Sequence, residues 1–143
     1  MFIGEYNHSL DEKGRISVPA RFRSALKEGG VVTRGLDKCL FLYAKEEWER
    51  LSARISALPM AAANSRAFAR LMLAGAMNAE PDKQGRIMVP EYLREYAGIK
   101  KNVVVAGVGS RLELWDKGEW DSYKQSAERG SSDIAEQLGE LGV

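Results

Sequence analysis

One nine-residue phrase occurs twice, Asp11-Glu12-Lys13-Gly14-Arg15-Ile16-Ser17-Val18-Pro19 and Asp82-Lys83-Gln84-Gly85-Arg86-Ile87-Met88-Val89-Pro90, and no other feature constrains this chain so strongly. Asp11, Gly14, Arg15, Ile16, Val18, Pro19 and Arg23 recur at Asp82, Gly85, Arg86, Ile87, Val89, Pro90 and Arg94, at an offset of 71. The offset then becomes 72, where Val31, Val32, Gly35, Leu40, Leu42, Lys45, Glu47 and Trp48 recur as Val103, Val104, Gly107, Leu112, Leu114, Lys117, Glu119 and Trp120. Tyr43 is answered by Trp115. Identities in one order, broken by a single insertion, mark a duplicated unit of about 50 residues.

The phrase has a direct physical reading. Asp-x-x-Gly is a turn whose glycine takes positive φ without a steric penalty and whose aspartate accepts hydrogen bonds from the backbone that follows. A strand comes next, with Ile16 and Val18, or Ile87 and Val89, on one side. The closing proline ends the strand and suits the first position of a helix. Asp11 with Arg15, and Asp82 with Arg86, lie close enough to pair.

Each unit reads ββαββα. In the first, Phe2 to Asn7 is a strand, 20–28 a short helix ended by Gly29-Gly30, Val31 to Arg34 and Cys39 to Tyr43 strands. Lys45 to Leu58 is a helix with Trp48, Leu51, Ile55 and Leu58 on its apolar face. Ala61 to Ala74 is a connecting helix with Ala61, Phe68, Leu71 and Met72 as its stripe. In the second unit the strands are Ala76 to Glu80, Asn102 to Ala106 and Arg111 to Trp115, and the helices Glu91 to Ala97 and Lys117 to about Arg129. Ser132 is placed to cap a last helix carrying Ile134, Leu138 and Leu141. The expected class is α+β, divided as repeat 1 at 1–58 (core about 5–48), a connecting helix at 59–75, repeat 2 at 76–129 (core about 76–120) and an acidic amphipathic tail at 130–143.

Composition narrows the function. The single cysteine, Cys39, excludes an internal disulfide framework. No run approaches the ~20 apolar residues of a membrane span, and the N-terminus lacks the pattern of a signal peptide, so a cytoplasmic location without membrane contact is expected. His8 is the sole histidine, which leaves a nucleophilic or metal-assisted hydrolase little to work with. The expectation is no enzyme, no metal, no cofactor and no small-molecule ligand.

Net charge is only +1, but it is unevenly spread. Lys13, Arg15, Arg21, Arg23 and Lys27 follow one another without an acid, whereas Asp133, Glu136 and Glu140 stand in a tail without a base. A basic β-ribbon is of a size that enters the major groove of DNA. Arg15 and Arg86 are then candidates for bidentate contacts, and Lys13, Lys83, Arg21 and Arg23 for phosphate contacts. Asp11 and Asp82 either close their turns as internal pairs or orient arginines that reach a ligand, and the two roles are compatible. Glu91 and Glu95 make the second copy less inviting to phosphate, so Lys13-Gly14-Arg15 is expected to be the principal loop. A protein-interaction scaffold, or an antitoxin-like module that binds a protein partner, is the alternative.

A unit with Asp-x-x-Gly-Arg-x-x-x-Pro in its first hairpin resembles the SpoVT-AbrB swapped-hairpin domain. Two such units, with Met-Phe-x-Gly at the start and Leu-x-Leu-Tyr/Trp-x-x-x-x-Trp in each, are similar to the MraZ family of bacterial regulators. The resemblance implies two tandem swapped-hairpin repeats forming one pseudo-twofold, double-ψ-like barrel with flanking helices. It also implies ring-like homo-oligomers, association with the nucleoid, and regulation of the division and cell-wall gene cluster through direct repeats in the protein's own promoter. The DNA-binding motif it carries over is Asp11 to Arg15 and Asp82 to Arg86, with Lys13, Gly14, Lys83 and Gly85 as turn neighbours.

Overall fold

The computed structural model describes residues 1–142; Val143, the end of the expected tail, lies outside the described residues. The first repeat forms β1 (Phe2–Ser9), β2 (Arg15–Ser17), β3 (Gly30–Arg34), β4 (Leu40–Ala44) and helix α1 (Lys45–Ser56). A connecting helix α2 (Ala63–Ala69) runs into a π-type turn at Arg70–Ala74. The second repeat forms β5 (Met77–Asn78), β6 (Arg86–Met88), α3 (Glu91–Ala97), β7 (Asn102–Gly109), β8 (Leu112–Asp116) and α4 (Lys117–Arg129), followed by α5 (Ser131–Leu138).

The strand order follows from one exchange: the first strand of each repeat leaves its own unit. β1 runs antiparallel to β7 of the second repeat, from Phe2 opposite Gly109 to Ser9 opposite Asn102. β5 likewise pairs with β3 of the first repeat. The resulting six-stranded sheet has the order β1-β7-β8-β4-β3-β5, which reads the same from either end when the repeats are interchanged. β2 and β6 form a separate antiparallel ribbon in which Ile16 faces Ile87.

Both faces of the central sheet are buried, so its strands read as nearly continuous apolar runs. Because side chains alternate along a strand, Leu40 and Leu42, Leu112 and Leu114, and Val103 and Val105 point to one side. There they meet Ile16, Val18, Ile87 and Val89 of the ribbon together with Phe22, Leu26 and Leu93. Phe41, Tyr43, Val104, Ala106 and Trp115 point to the other side, against Ile55, Met72, Trp48, Leu51 and Trp120 from the helices. The ribbon and its two turns are thereby fixed on the face opposite α1 and α4.

Several local expectations are corrected. Residues 20–28 are not one helix but two 3-10 turns, Ala20–Phe22 and Ser24–Leu26. Their first turn carries no acid to favour a helix N-terminus, whereas α3 has Glu91 there and ends on Gly98 at φ 63°. Leu58 falls beyond α1 and is exposed. The wider i→i+5 turn after α2 shifts the stripe, so that Leu73 joins the core while Leu71 faces outward. Ser132 lies inside α5, whose N-cap is Gly130 and has no side-chain cap. β7 is longer than expected because β1 pairs along its whole length, and β5 is shorter.

Candidate nucleic-acid interface

The two turns have nearly superimposable hydrogen bonding. In the first, Gly14 N–H donates to the Asp11 carbonyl (3.0 Å) and Asp11 N–H to the Arg15 carbonyl (2.9 Å). Asp11 Oδ1 accepts from the backbone N–H of Lys13 and Arg15, both at 2.9 Å, and Oδ2 accepts from Arg15 Nε at 2.7 Å. In the second, Asp82 Oδ1 accepts from Gln84 and Arg86 N–H at 2.9 Å and Oδ2 from Arg86 Nε at 3.0 Å. Both glycines sit at φ 77°, a conformation that L side chains rarely adopt. These bonds to the charged form hold the Asp11 and Asp82 carboxyls below the ordinary carboxylate value; the N–H of Arg15 and of Arg86, respectively, is the largest cause.

The ribbon joins the turns across the pseudo-twofold. Ile16 and Ile87 are buried, so Arg15 beside Met88, and Ser17 beside Arg86, occupy the outer face. Arg86 Nη1 lies 3.9 Å from Asp11 Oδ2, a contact between the repeats. Each arginine spends its Nε on its own aspartate, and both side chains remain about one-quarter to one-third exposed (28% and 29%). The arrangement aims two cations outward from a fixed backbone while the aspartates restrain them.

Other predicted residues are dispersed differently from their sequence order. Val18 N–H donates to the Gly85 carbonyl and Val89 N–H to the Gly14 carbonyl, both at 2.9 Å. Arg23 Nε donates to the Val18 carbonyl at 3.0 Å, which brings Arg23 over Gly85 of the second turn. The unbroken basic patch expected on the first phrase is thus divided between both turns. Arg21 donates to the Tyr6 hydroxyl at 2.9 Å and lies over the Phe22 ring, tied to β1. Lys13 and Lys83 are exposed on the turn tips.

Arg94 is the residue that sequence reasoning left out of the site. Its Nε donates to the Val89 carbonyl at 3.0 Å, and its guanidinium would stand 3.1 Å from a Cβ at Gly14. The signal was present in the repeat itself, since Arg94 is the counterpart of Arg23. His8 is half-buried opposite Val103, and burial, then the charge of Arg23, lowers its pKa. Cys39 is fully buried, its thiol donating to the Leu36 carbonyl at 3.1 Å, and burial raises its pKa far above the ordinary thiol value. Among the described residues no three His, Cys, Asp or Glu side chains gather as metal ligands, and no helix is long and apolar enough to cross a membrane.

Comparison with known proteins follows the same internal division. The family model described as MraZ protein, and likened there to antitoxins, matches residues 1–71 and again 72–140. A protein of Acetivibrio thermocellus named transcriptional regulator MraZ is 48% identical over 143 residues, covering all of both chains. The proteins of the same name from Heliobacterium modesticaldum and Natranaerobius thermophilus are 49% identical over 138 residues (96% of each chain) and 48% identical over 143 residues (100% of each).

Proposed function

The chain belongs to the MraZ family, and from that premise we propose that it is a bacterial transcriptional regulator that binds DNA sequence-specifically and performs no catalysis. The observation that carries this reading is the pair of restrained arginines, Arg15 and Arg86, presented on the outer face of one two-stranded ribbon. A two-stranded ribbon fits the major groove, and arginines held in a fixed orientation suit bidentate contacts to guanine. Lys13, Lys83, Arg21 and Arg23 serve as phosphate contacts, with Gly14 and Gly85 permitting the turns and Asp11 and Asp82 orienting them. Exchange of the first strands between repeats supports a swapped-hairpin barrel of the SpoVT-AbrB kind.

The finer reading follows the same logic. The targets are direct repeats in the protein's own promoter, upstream of the division and cell-wall genes, and the protein acts on the nucleoid as a ring-like homo-oligomer. A chain with net charge +1 then gains affinity through linked copies. In a mobility-shift assay on DNA upstream of its own gene, Arg15→Ala is expected to lose the retarded complex while the elution volume on a sizing column is unchanged. Retention of the complex at ordinary salt would assign Arg15 to turn structure alone.

A further inference from the structure

Both repeats build the cleft beside the second turn. Arg23, Ser24 and Lys27 come from the first repeat, and Lys83 and Gly85 from the second, around a depression of about 390 Å³. Arg23 is anchored there by its bond to Val18, itself bonded to Gly85, and a Cβ at Gly85 would collide with the guanidinium. Gly85 is therefore what allows an arginine to lie against this turn. Among the described residues Arg23, Lys27 and Lys83 have no carboxylate partner. Asp82, which also borders the cleft, is already occupied by Gln84 and Arg86.

The pseudo-equivalent positions around the first turn have the opposite character. Arg23, Ser24, Lys27, Asp82 and Lys83 correspond to Arg94, Glu95, Gly98, Asp11 and Glu12. Within these five pairs, three cations and one carboxylate at the second turn face one cation and three carboxylates at the first, while Lys13, opposite the neutral Gln84, adds a cation to the tip of the first turn. Lys101 also approaches the first turn, where its carbonyl accepts from Leu10 N–H at 2.8 Å, but its own counterpart is Gly29, outside this set. Concentrated positive charge in a concave site attracts an anion, and carboxylates at the equivalent positions repel it.

We propose that the cleft formed by Arg23, Ser24, Lys27 and Lys83 binds a phosphate of the DNA backbone beside the second turn. This rests on the DNA-binding reading above and moves the main phosphate clamp away from Lys13-Gly14-Arg15. Arginine supplies paired N–H donors, the lysines supply charge, and the serine supplies a hydroxyl donor. Continuity with Arg86 on the same turn makes a backbone phosphate, held while the arginine reaches a base, the fitting source of the anion.

The test uses the full chain and a duplex from immediately upstream of its own coding sequence, with affinity measured across a salt series. Lys27→Gln with Lys83→Gln is expected to weaken binding several-fold and to reduce the steepness of the log affinity against log salt plot by about 1. The control, Lys117→Gln with Lys124→Gln, removes the same charge from α4 on the far face of the sheet and is expected to leave the slope unchanged. Glu12→Lys with Glu95→Ser, which gives the first turn the counterparts of Lys83 and Ser24, is expected to steepen it. If the Lys27 and Lys83 variant behaves like the control, the cleft is not a phosphate site while the DNA reading stands. If the unaltered chain does not bind the duplex at all, the DNA reading fails and takes the assigned ligand with it.

Discussion

The first turn and the second share a backbone, an aspartate–arginine pair and a buried glycine under a guanidinium, yet they are supported differently. Arg94 reaches the first turn from α3, a capped helix held by tyrosines: Tyr92 donates to the Gly75 carbonyl at 2.8 Å and Tyr96 to the Gly35 carbonyl at 2.7 Å. Arg34 lies 5.8 Å from the centroid of each ring and donates to the Leu71 carbonyl at 3.2 Å. Arg23 reaches the second turn from two 3-10 turns in which Arg21 and Ala25 stand at the tyrosine positions. Duplication thus kept the turn and altered what holds it. The support with two tyrosine latches sits beside the acidic side of the module, and the one held by Arg21 to Tyr6 sits beside the basic cleft.

The largest expected contrast comes from the glycines. Gly85→Ala forces a side chain to positive φ, at about 1–2 kcal/mol, and displaces Arg23 from Val18 at about 1 kcal/mol more. Gly14→Ala meets Arg94 only at 3.1 Å and is expected to show the φ cost without the second loss. Denaturant unfolding of the two variants checks this; equal destabilisation would mean that the turns are equally crowded.

A smaller effect is expected from the latch. Tyr96→Phe removes one buried-end hydrogen bond, at about 1 kcal/mol, and should speed amide hydrogen exchange in α3 while leaving residues 20–26 unchanged. Matching protection of the two segments in the unaltered protein would erase the proposed difference in support.

The smallest concerns pH. His8 lies on the first repeat's strand but is influenced by Arg23, which serves the second turn, and its folded pKa is below the ordinary value. The unfolded state therefore binds more protons as the histidine range is entered. Its stability contribution is complete above about 6.5 and is lost as pH falls from there through the lower folded value. His8→Gln should flatten that part of the stability profile. A profile identical to the parent's would show that His8 is uncoupled from folding.

What could be read in advance follows the range of the interaction. The duplication, α1, α4 and the doubly buried strands leave local periodic signals, and the Asp-x-x-Gly turns carry their geometry within five residues, Asp11 to Arg15 and Asp82 to Arg86. The pairing of β1 with β7 and of β3 with β5 leaves no such signal, because either partner would satisfy the same alternation of side chains. The pairing of β2 with β6 is equally silent, and through it Val18 bonds Gly85, so that Arg23 and Lys27, next to Lys13 in sequence order, prove to be neighbours of Lys83. The same ribbon hid Arg94: it bonds Val89 of its own repeat, and Val89 in turn bonds Gly14 of the other.

The exchanged strands have a further consequence for polarity. A module assembled from two identical single repeats would carry any surface substitution on both turns at once and would meet a duplex in either orientation with the same face. Covalent fusion removes that constraint. Once Lys83 and Glu12 can differ, the module has a head and a tail, which on the proposed DNA-binding reading would let it distinguish sites arranged in tandem from sites arranged as a palindrome.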